Sequence, residues 1–332
     1  MSIDWTPLER LIEAHDRFLV TTHVRPDGDA LGSEIGVVGL LRQKGKDVRV
    51  VNASRTPPRY DFLDPDRSLF EHFGSMSDVA ADLADREALV ILDLSSWSQL
   101  GEMGDFVRAF PGPRLVIDHH VSQDDMGAIA YLKDTSAEAA GTLVLRACRA
   151  LGVELTMEMS AGLLTAIAMD TGWFRHPSTK PSTFRDAAEL LDAGAGVDSI
   201  YRLLFERNTL GRVKMTGEAL AAMRSDLDGR ILSVCITRDM LERTGAIPAD
   251  TEDVVDFTVS VRGAEVGLLF LELARGGIKV SARSREGFDC ASLMRSFGGG
   301  GHRAAAGATL PEPIGEAVAT VIAAVQRGLG GV

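Results

Sequence analysis

The chain has 332 residues, 45% of them hydrophobic and 25% charged, and a formal net charge of −12. That length exceeds what one hydrophobic core usually covers, so two domains are expected, with the composition of an ordinary soluble globular protein. An acidic chain without a basic run is badly built to hold a long nucleic acid through many Lys/Arg–phosphate contacts, though a few local cations suffice for a small phosphorylated ligand.

The three cysteines, Cys148, Cys235 and Cys290, form no Cys-x-x-Cys pair. They suit a reducing cytoplasm and argue against a thiolate zinc site. No apolar run approaches membrane-spanning length, and the opening Met1-Ser-Ile-Asp-Trp5 is not a signal peptide. The expected location is therefore the cytoplasm. There is no internal repeat and no low-complexity tract.

Pro7 to His15 reads as an amphipathic helix with Leu8, Leu11 and Ile12 on one face. Phe18 to Thr22 is the first strand. It runs into His23-Val-Arg-Pro-Asp27-Gly28-Asp29, and a helix continues to about Lys44. Gly28 and Gly32 invite comparison with phosphate-binding loops, but the spacing fits neither common pattern, and Asp27 and Asp29 repel a bare phosphate. A metal ion removes the conflict, because the acids bind the cation and the cation binds the phosphate. A helix N-cap is the plainer alternative, and it accounts for one acid but not for both together with His23.

Asp47 to Val51 is a second strand, followed by a Pro-rich, charged loop from Asn52 to Ser68. Ala88 to Leu92 is a third strand and ends on Asp93. Leu115 to Ile117 then reads as a buried strand that stops at Asp118-His119-His120. Alone, that triplet also fits a surface turn with incidental histidines. Ligands of open α/β sheets bind at the carboxyl ends of strands, and here three such ends carry carboxylates.

Thr135-Ser-Ala-Glu138 resembles a capping box for a helix reaching about Leu151, which gives Glu138 a structural role. A helix from about Thr156 to Ala168 delivers Asp170-Thr-Gly172. From Ser182 to about Leu227 the pattern is helical, without strand signals, and the domain boundary is placed there. Strands follow at Arg230 to Ile236, Val266 to Leu273 and Ile278 to Arg283, the last two joined by a hairpin at Ala274-Arg-Gly-Gly277. After a helix from Asp289 to Phe297 come Gly298-Gly-Gly-Gly301-His302, and a last helix spans Gly315 to Gly328. The glycines permit positive φ and close approach, so their N–H groups can form an anion-binding nest. Arg283 offers a planar fork for phosphate. The alternative is a tight turn against which His302 packs.

Oxygen-rich donors with some imidazole and no sulfur suit Mn²⁺ or Mg²⁺. The set is large enough for two ions sharing a carboxylate, about 3.5–4 Å apart, an arrangement that drives attack on phosphorus. With Asp118-His119-His120, His23-Val-Arg-Pro-Asp27-Gly-Asp29, strand-end Asp93 and Asp170-Thr-Gly in this order, the chain resembles the DHH phosphoesterase family. Gly298-Gly-Gly-Gly-His302-Arg-Ala-Ala-Ala-Gly307 resembles the signature of that family's DHHA1 domain.

The resemblance implies an α/β protein: a DHH domain with a mainly parallel sheet flanked by helices (1–194), a helical linker (195–228) and a smaller α/β DHHA1 domain (229–332). It implies one metal on His23, Asp27 and Asp93, and a second on Asp29, Asp93, His119 and Asp170. His120 would contact the scissile phosphate or leaving oxygen, and Asp118 would orient the histidines. Arg283, Gly299, Gly300, Gly301 and His302 would bind substrate.

The layout is similar to the bacterial oligoribonuclease/pAp-phosphatase type, which acts on very short RNAs and on 3′-phosphoadenosine 5′-phosphate (pAp). Cyclic di-AMP or pApA is the rival substrate, and a non-catalytic nucleotide sensor is the rival class. A homodimer is admitted, and neither a membrane nor a long nucleic acid is expected as partner. Two departures stand out: Gln99 precedes Leu100-Gly101 where many relatives carry Arg, and Trp97 is large for its turn, with packing its expected role.

Overall fold

The computed structural model describes residues 3–74, 82–121, 123–251, 253–285, 287–301 and 303–330. His302, expected to bind substrate, lies outside them. The chain divides into two compact units, residues 1–206 and 207–332, so the helical stretch 195–228 is shared between the two.

The first unit is built on a six-stranded sheet: β1 (Arg17–Thr21), β2 (Asp47–Asn52), β3 (Phe70–His72), β4 (Ala88–Leu92), β5 (Arg114–Asp118) and β6 (Ala130–Lys133). The order is β3-β2-β1-β4-β5-β6 and every pairing is parallel. Parallel strands covered on both faces read as continuous apolar runs, and β4, Ala-Leu-Val-Ile-Leu, is wholly buried. The strand order reverses between β1 and β4. In open α/β sheets the crevice beyond that reversal is where ligands bind, and it is also where His23 and Asp93 leave the sheet. Sequence reading overlooked β3 and β6, which are short strands at the two edges of the sheet.

Two helices bring further side chains to the same edge. Gly28–Gln43 is buried along nearly its whole length and packs against Met157–Asp170. The approach is so close that a Cβ on Gly32 would stand 2.1 Å from the Gly162 carbonyl oxygen. Glycine is required there because the backbones themselves are in contact. The first helix starts, and the second ends, at the carboxyl edge of the sheet.

The second unit holds a mixed sheet of order β11-β12-β10-β9-β8-β7, in which only β8–β9 is parallel among the described pairings. Its strands are β7 (Arg224–Asp226), β8 (Ile231–Ile236), β9 (Val266–Glu272), β10 (Ile278–Ser284), β11 (Gly300–Gly301) and β12 (Ala305–Leu310). The expected hairpin joins β9 to β10, with Gly276 and Gly277 both at positive φ. β7 corrects the reading of 182–227 as helical throughout, since Arg224–Asp226 pairs with β8. One face packs under the helix Ile314–Gly328, through Val318, Val321 and Val325. No described helix is long and apolar enough to cross a membrane.

Candidate metal centre

β1 ends one residue before Thr22, whose hydroxyl donates to the Leu92 carbonyl and so ties the exits of β1 and β4 together. The Val24 N–H donates to the Gln99 carbonyl at 2.7 Å and holds the His23 loop against the turn after β4. His23 Nε2 lies 3.5 Å from Asp93 Oδ2 and 4.0 Å from Asp27 Oδ1. His119 Nε2 lies 3.4 Å from Asp93 Oδ1, 3.5 Å from Asp170 Oδ2 and 3.6 Å from Asp29 Oδ2. The structure thus brings His23, Asp27, Asp29, Asp93, His119 and Asp170 together. Their donor atoms form the groups His23–Asp27–Asp93 and Asp29–His119–Asp170, each within 4.8 Å, and Asp93 joins a third group with His119 and His120.

Two of the acids are held by backbone N–H groups. Asp27 caps its helix, accepting the N–H groups of Asp29 and Ala30, so the capping alternative is correct for this acid and coexists with its place in the cluster. Asp29 accepts the N–H of Ala140 at 2.7 Å and of Gly141 at 2.9 Å, at the positive end of the helix Ala140–Ala150. Glu138 is not the capping residue expected there. The N-cap is Ala139 without a side-chain cap, the first helical N–H groups are taken by Asp29, and the buried Glu138 carboxylate has no hydrogen-bond partner among the described residues.

Asp93 stands at φ +58, a left-handed conformation that costs a non-glycine residue about 1–3 kcal/mol and recurs at functional sites. Its Oδ1 is buried without a hydrogen-bond donor among the described residues. An unpaired buried carboxylate oxygen is costly unless a cation satisfies it. Both histidines point the right nitrogen at the cluster. His23 Nδ1 donates to the Val24 carbonyl and His119 Nδ1 to the Ala137 carbonyl, at 3.0 and 3.2 Å, leaving each Nε2 to face the acids. The donors fit divalent cations that prefer oxygen with some nitrogen.

The electrostatics agree. Burial raises the Asp29 carboxyl well above its usual range, and the nearby Asp93 and Asp170 raise it further. Burial, with Asp93 and Asp27, lifts Asp170 to about 6. Burial would lower His23 and His119, but the surrounding carboxylates outweigh it and push them up to about 9 and about 10. Without cations the cluster therefore holds protons that a bound metal would displace.

Asp118 is buried at the end of β5 and accepts His120 Nδ1–H at 2.8 Å. Two residues that sequence reading missed lie behind it: Ser95 donates to Asp118 Oδ2 at 2.6 Å, and Lys133 Nζ lies 3.1 Å from the same oxygen. Lys133 ends β6, whose short Ala-Tyr-Leu-Lys run gave no strand signal. Glu34 was also missed; it is buried, accepts from Asn52 Nδ2 at 2.9 Å, and burial pushes its carboxyl up to about 8. Trp97 packs as expected, with Arg108 over its ring at 4.3 Å and its Nε1–H donating to the Asp125 carbonyl.

In the second unit, Arg283 Nε pairs with Asp256 Oδ1 at 3.2 Å. Arg283 stands opposite Ala305 and Gly301 opposite Ala306, so both lie near one end of the sheet on either side of β12. A Cβ on Gly299 would meet the Gly307 carbonyl oxygen at 2.1 Å, and Gly301 has φ +138. These glycines are needed for strand pairing whatever else they bind.

Comparison with known proteins agrees with this geometry. The DHH family N-terminal domain matches residues 17–169, and the DHHA1 domain matches residues 232–329. The chain is 34% identical, over 93% of its length and 89% of the relative's, to the bifunctional oligoribonuclease and PAP phosphatase NrnA of Thermus thermophilus. An exopolyphosphatase-related protein from Bacteroides fragilis superposes with a TM-score of 0.90 at 25% identity, covering 97% of this chain and 95% of that one. RecJ of Thermus thermophilus, solved in complex with Mn²⁺, shares the fold at a TM-score of 0.56 and 16% identity, over 98% of this chain and 55% of its own. The chain belongs to the DHH family of phosphoesterases and joins a DHH N-terminal domain to a DHHA1 domain.

Proposed function

We propose that this chain uses two divalent cations, with Mn²⁺ the best match to its donors, to hydrolyse very short oligoribonucleotides and pAp. Asp93 carries the reading. It is buried and conformationally strained, it belongs to two distinct donor groups, and its Oδ1 lacks a hydrogen-bond donor among the described residues. His23, Asp27 and Asp93 would hold one cation, and Asp29, Asp93, His119 and Asp170 the other. Cations held there would supply Lewis acidity toward phosphoryl oxygens and lower the pKa of an attacking water.

The chain's own groups do the remaining work. His120 keeps Nδ1 on Asp118, so Nε2 is the nitrogen free to meet the scissile phosphate or the leaving oxygen. The helix N-terminus at Ala140 and Gly141 fixes the Asp29 carboxylate. Arg283, with Gly299, Gly300, Gly301 and His302, would grip a second, non-reacting phosphate. A net charge of −12 gives affinity little to gain from each added phosphate, and the Thermus thermophilus relative is named for short RNA and pAp. Both support a small substrate.

A Mn²⁺-supplemented assay of pAp and of RNAs from two to twenty nucleotides tests this. The expected kcat/KM falls as the RNA lengthens, with a cut-off of about five nucleotides suggested by the family resemblance and not by charge. Hydrolysis of the longest RNA at the dinucleotide rate, or no Mn²⁺-dependent hydrolysis of any substrate, contradicts it.

A further inference from the structure

Asp118 belongs to none of the three donor groups, although His119 and His120 follow it directly. Its carboxylate is filled from within the protein instead. Oδ1 accepts the His120 backbone N–H at 3.1 Å and His120 Nδ1–H at 2.8 Å. Oδ2 accepts the Ser95 hydroxyl at 2.6 Å and meets Lys133 Nζ at 3.1 Å. Lys133 also donates to Ser95 Oγ at 2.7 Å. A carboxylate offers about four acceptor positions, and all four are engaged.

The arrangement follows from the sheet. Ser95 leaves β4 two residues beyond Asp93, and the parallel register of β5 and β6 sets Asp118 directly opposite Lys133. The Asp118 side chain is fully buried and that of Lys133 only 11% exposed, so solvent does little to hold either in place.

His120 has two roles open to it. Its Nδ1 lies 3.6 Å from Asp93 Oδ1, near enough to join Asp93 and His119 as a cation donor. With Nδ1–H held by Asp118, that role is closed and Nε2 is left for the substrate. We propose that Lys133, together with Ser95, is a positioning residue for His120: it anchors Asp118 Oδ2, so that Oδ1 stays on His120 Nδ1 and the ring keeps one tautomer and one orientation. Without the anchor, a buried anion beside a cation site is free to turn toward it, and His120 loses its acceptor. What His120 does with Nε2 rests on the phosphohydrolase reading above; the anchoring does not.

The test uses the full chain, as wild type, Lys133→Met, Ser95→Ala and Lys133→Arg. The His120 tautomer is read from long-range ¹H–¹⁵N NMR correlations in Mg²⁺-loaded protein, and kcat and KM are measured on pAp with Mn²⁺. At a pH high enough for the ring to be neutral, wild type shows Nδ1–H alone. Lys133→Met shows a tautomer mixture and loses about 10- to 100-fold in kcat, the usual cost of removing such a supporting partner, while KM moves by no more than about 3-fold. Ser95→Ala moves the same way by less, and Lys133→Arg keeps the Nδ1–H tautomer and most of kcat. Ser95→Ala carries the test if Lys133→Met does not fold. An unchanged His120 tautomer in the variants overturns the proposal, whatever they lose in stability or rate. If wild type turns over no phosphate ester, the substrate reading fails, and the tautomers still decide the anchoring.

Discussion

The carboxyl edge of β1, β4 and β5 and the end of the second sheet where β10, β12 and β11 meet are built on opposite plans. The first gathers acids, Asp29 and Asp93 fully buried among them, around two imidazoles, and burial with mutual repulsion raises Asp29 and Asp170. Its geometry is imposed by backbone, through a helix N-terminus on Asp29 and a left-handed Asp93. The second end is bare by comparison. Its described chemistry is glycine backbone and arginine, and Arg283, partly exposed, is already paired with an acid. A reacting centre needs fixed, desolvated donors, because charge develops there and nothing can reorganise during the step. A phosphate grip needs only N–H groups and a cation within reach.

The sharpest way to break this contrast is Asp93→Asn. The apolar residues of β4 are untouched, so the fold should survive while kcat on pAp falls by about 100-fold or more. Steady-state kinetics at saturating Mn²⁺, with a thermal melt as control, reads both. A variant that kept more than a few per cent of wild-type kcat would falsify the shared-carboxylate assignment.

Arg283→Ala probes the other end. A lost charged contact costs about 1.5–4 kcal/mol, or roughly 10- to 1000-fold in kcat/KM for pAp. The loss should be far smaller for bis-p-nitrophenyl phosphate, which has one phosphate and nothing for a second grip to hold. Equal losses on both substrates would assign Arg283 to folding or to the chemical step.

The smallest effect concerns the protonation of the first unit. Glu34 is raised by burial from 4.5 to about 8, so the folded state binds a proton that the unfolded state releases above its own pKa. That contribution is complete below about 4.5 and is lost as the pH rises through about 8. Glu34→Gln should therefore lose less stability between pH 5 and pH 8 than wild type does, by about 1–3 kcal/mol. Urea unfolding of metal-free protein at the two values checks this, and parallel losses in both proteins contradict it.

Much of the first edge was legible because local sequence carries it. An apolar run that stops at an acid marks both a strand and what lies at its end, and that alone found Asp93 and Asp118. What escaped lies across strands. Lys133 reaches Asp118 through the β5–β6 register, and no pattern in a four-residue edge strand announces that pairing. Glu138 was misread for a related reason: the helix it was expected to cap is capped by Asp29, a residue more than a hundred positions earlier. The positive φ of Asp93 has no signal in its sequence either, since the flanking Leu92 and Leu94 are ordinary strand residues. In the second unit the glycine run was easy to see, but its pairing with β12 gives the same residues a structural task that the sequence could not separate from a binding one.

The central claim is that one carboxylate, Asp93, holds two cations side by side. Electron paramagnetic resonance of the full chain loaded with two equivalents of Mn²⁺ measures this directly, because ions about 3.5–4 Å apart are exchange-coupled. A coupled multiline spectrum in wild type, replaced by that of isolated ions in Asp93→Asn, is the predicted result. An isolated six-line Mn²⁺ signal in wild-type protein with both equivalents bound would contradict it.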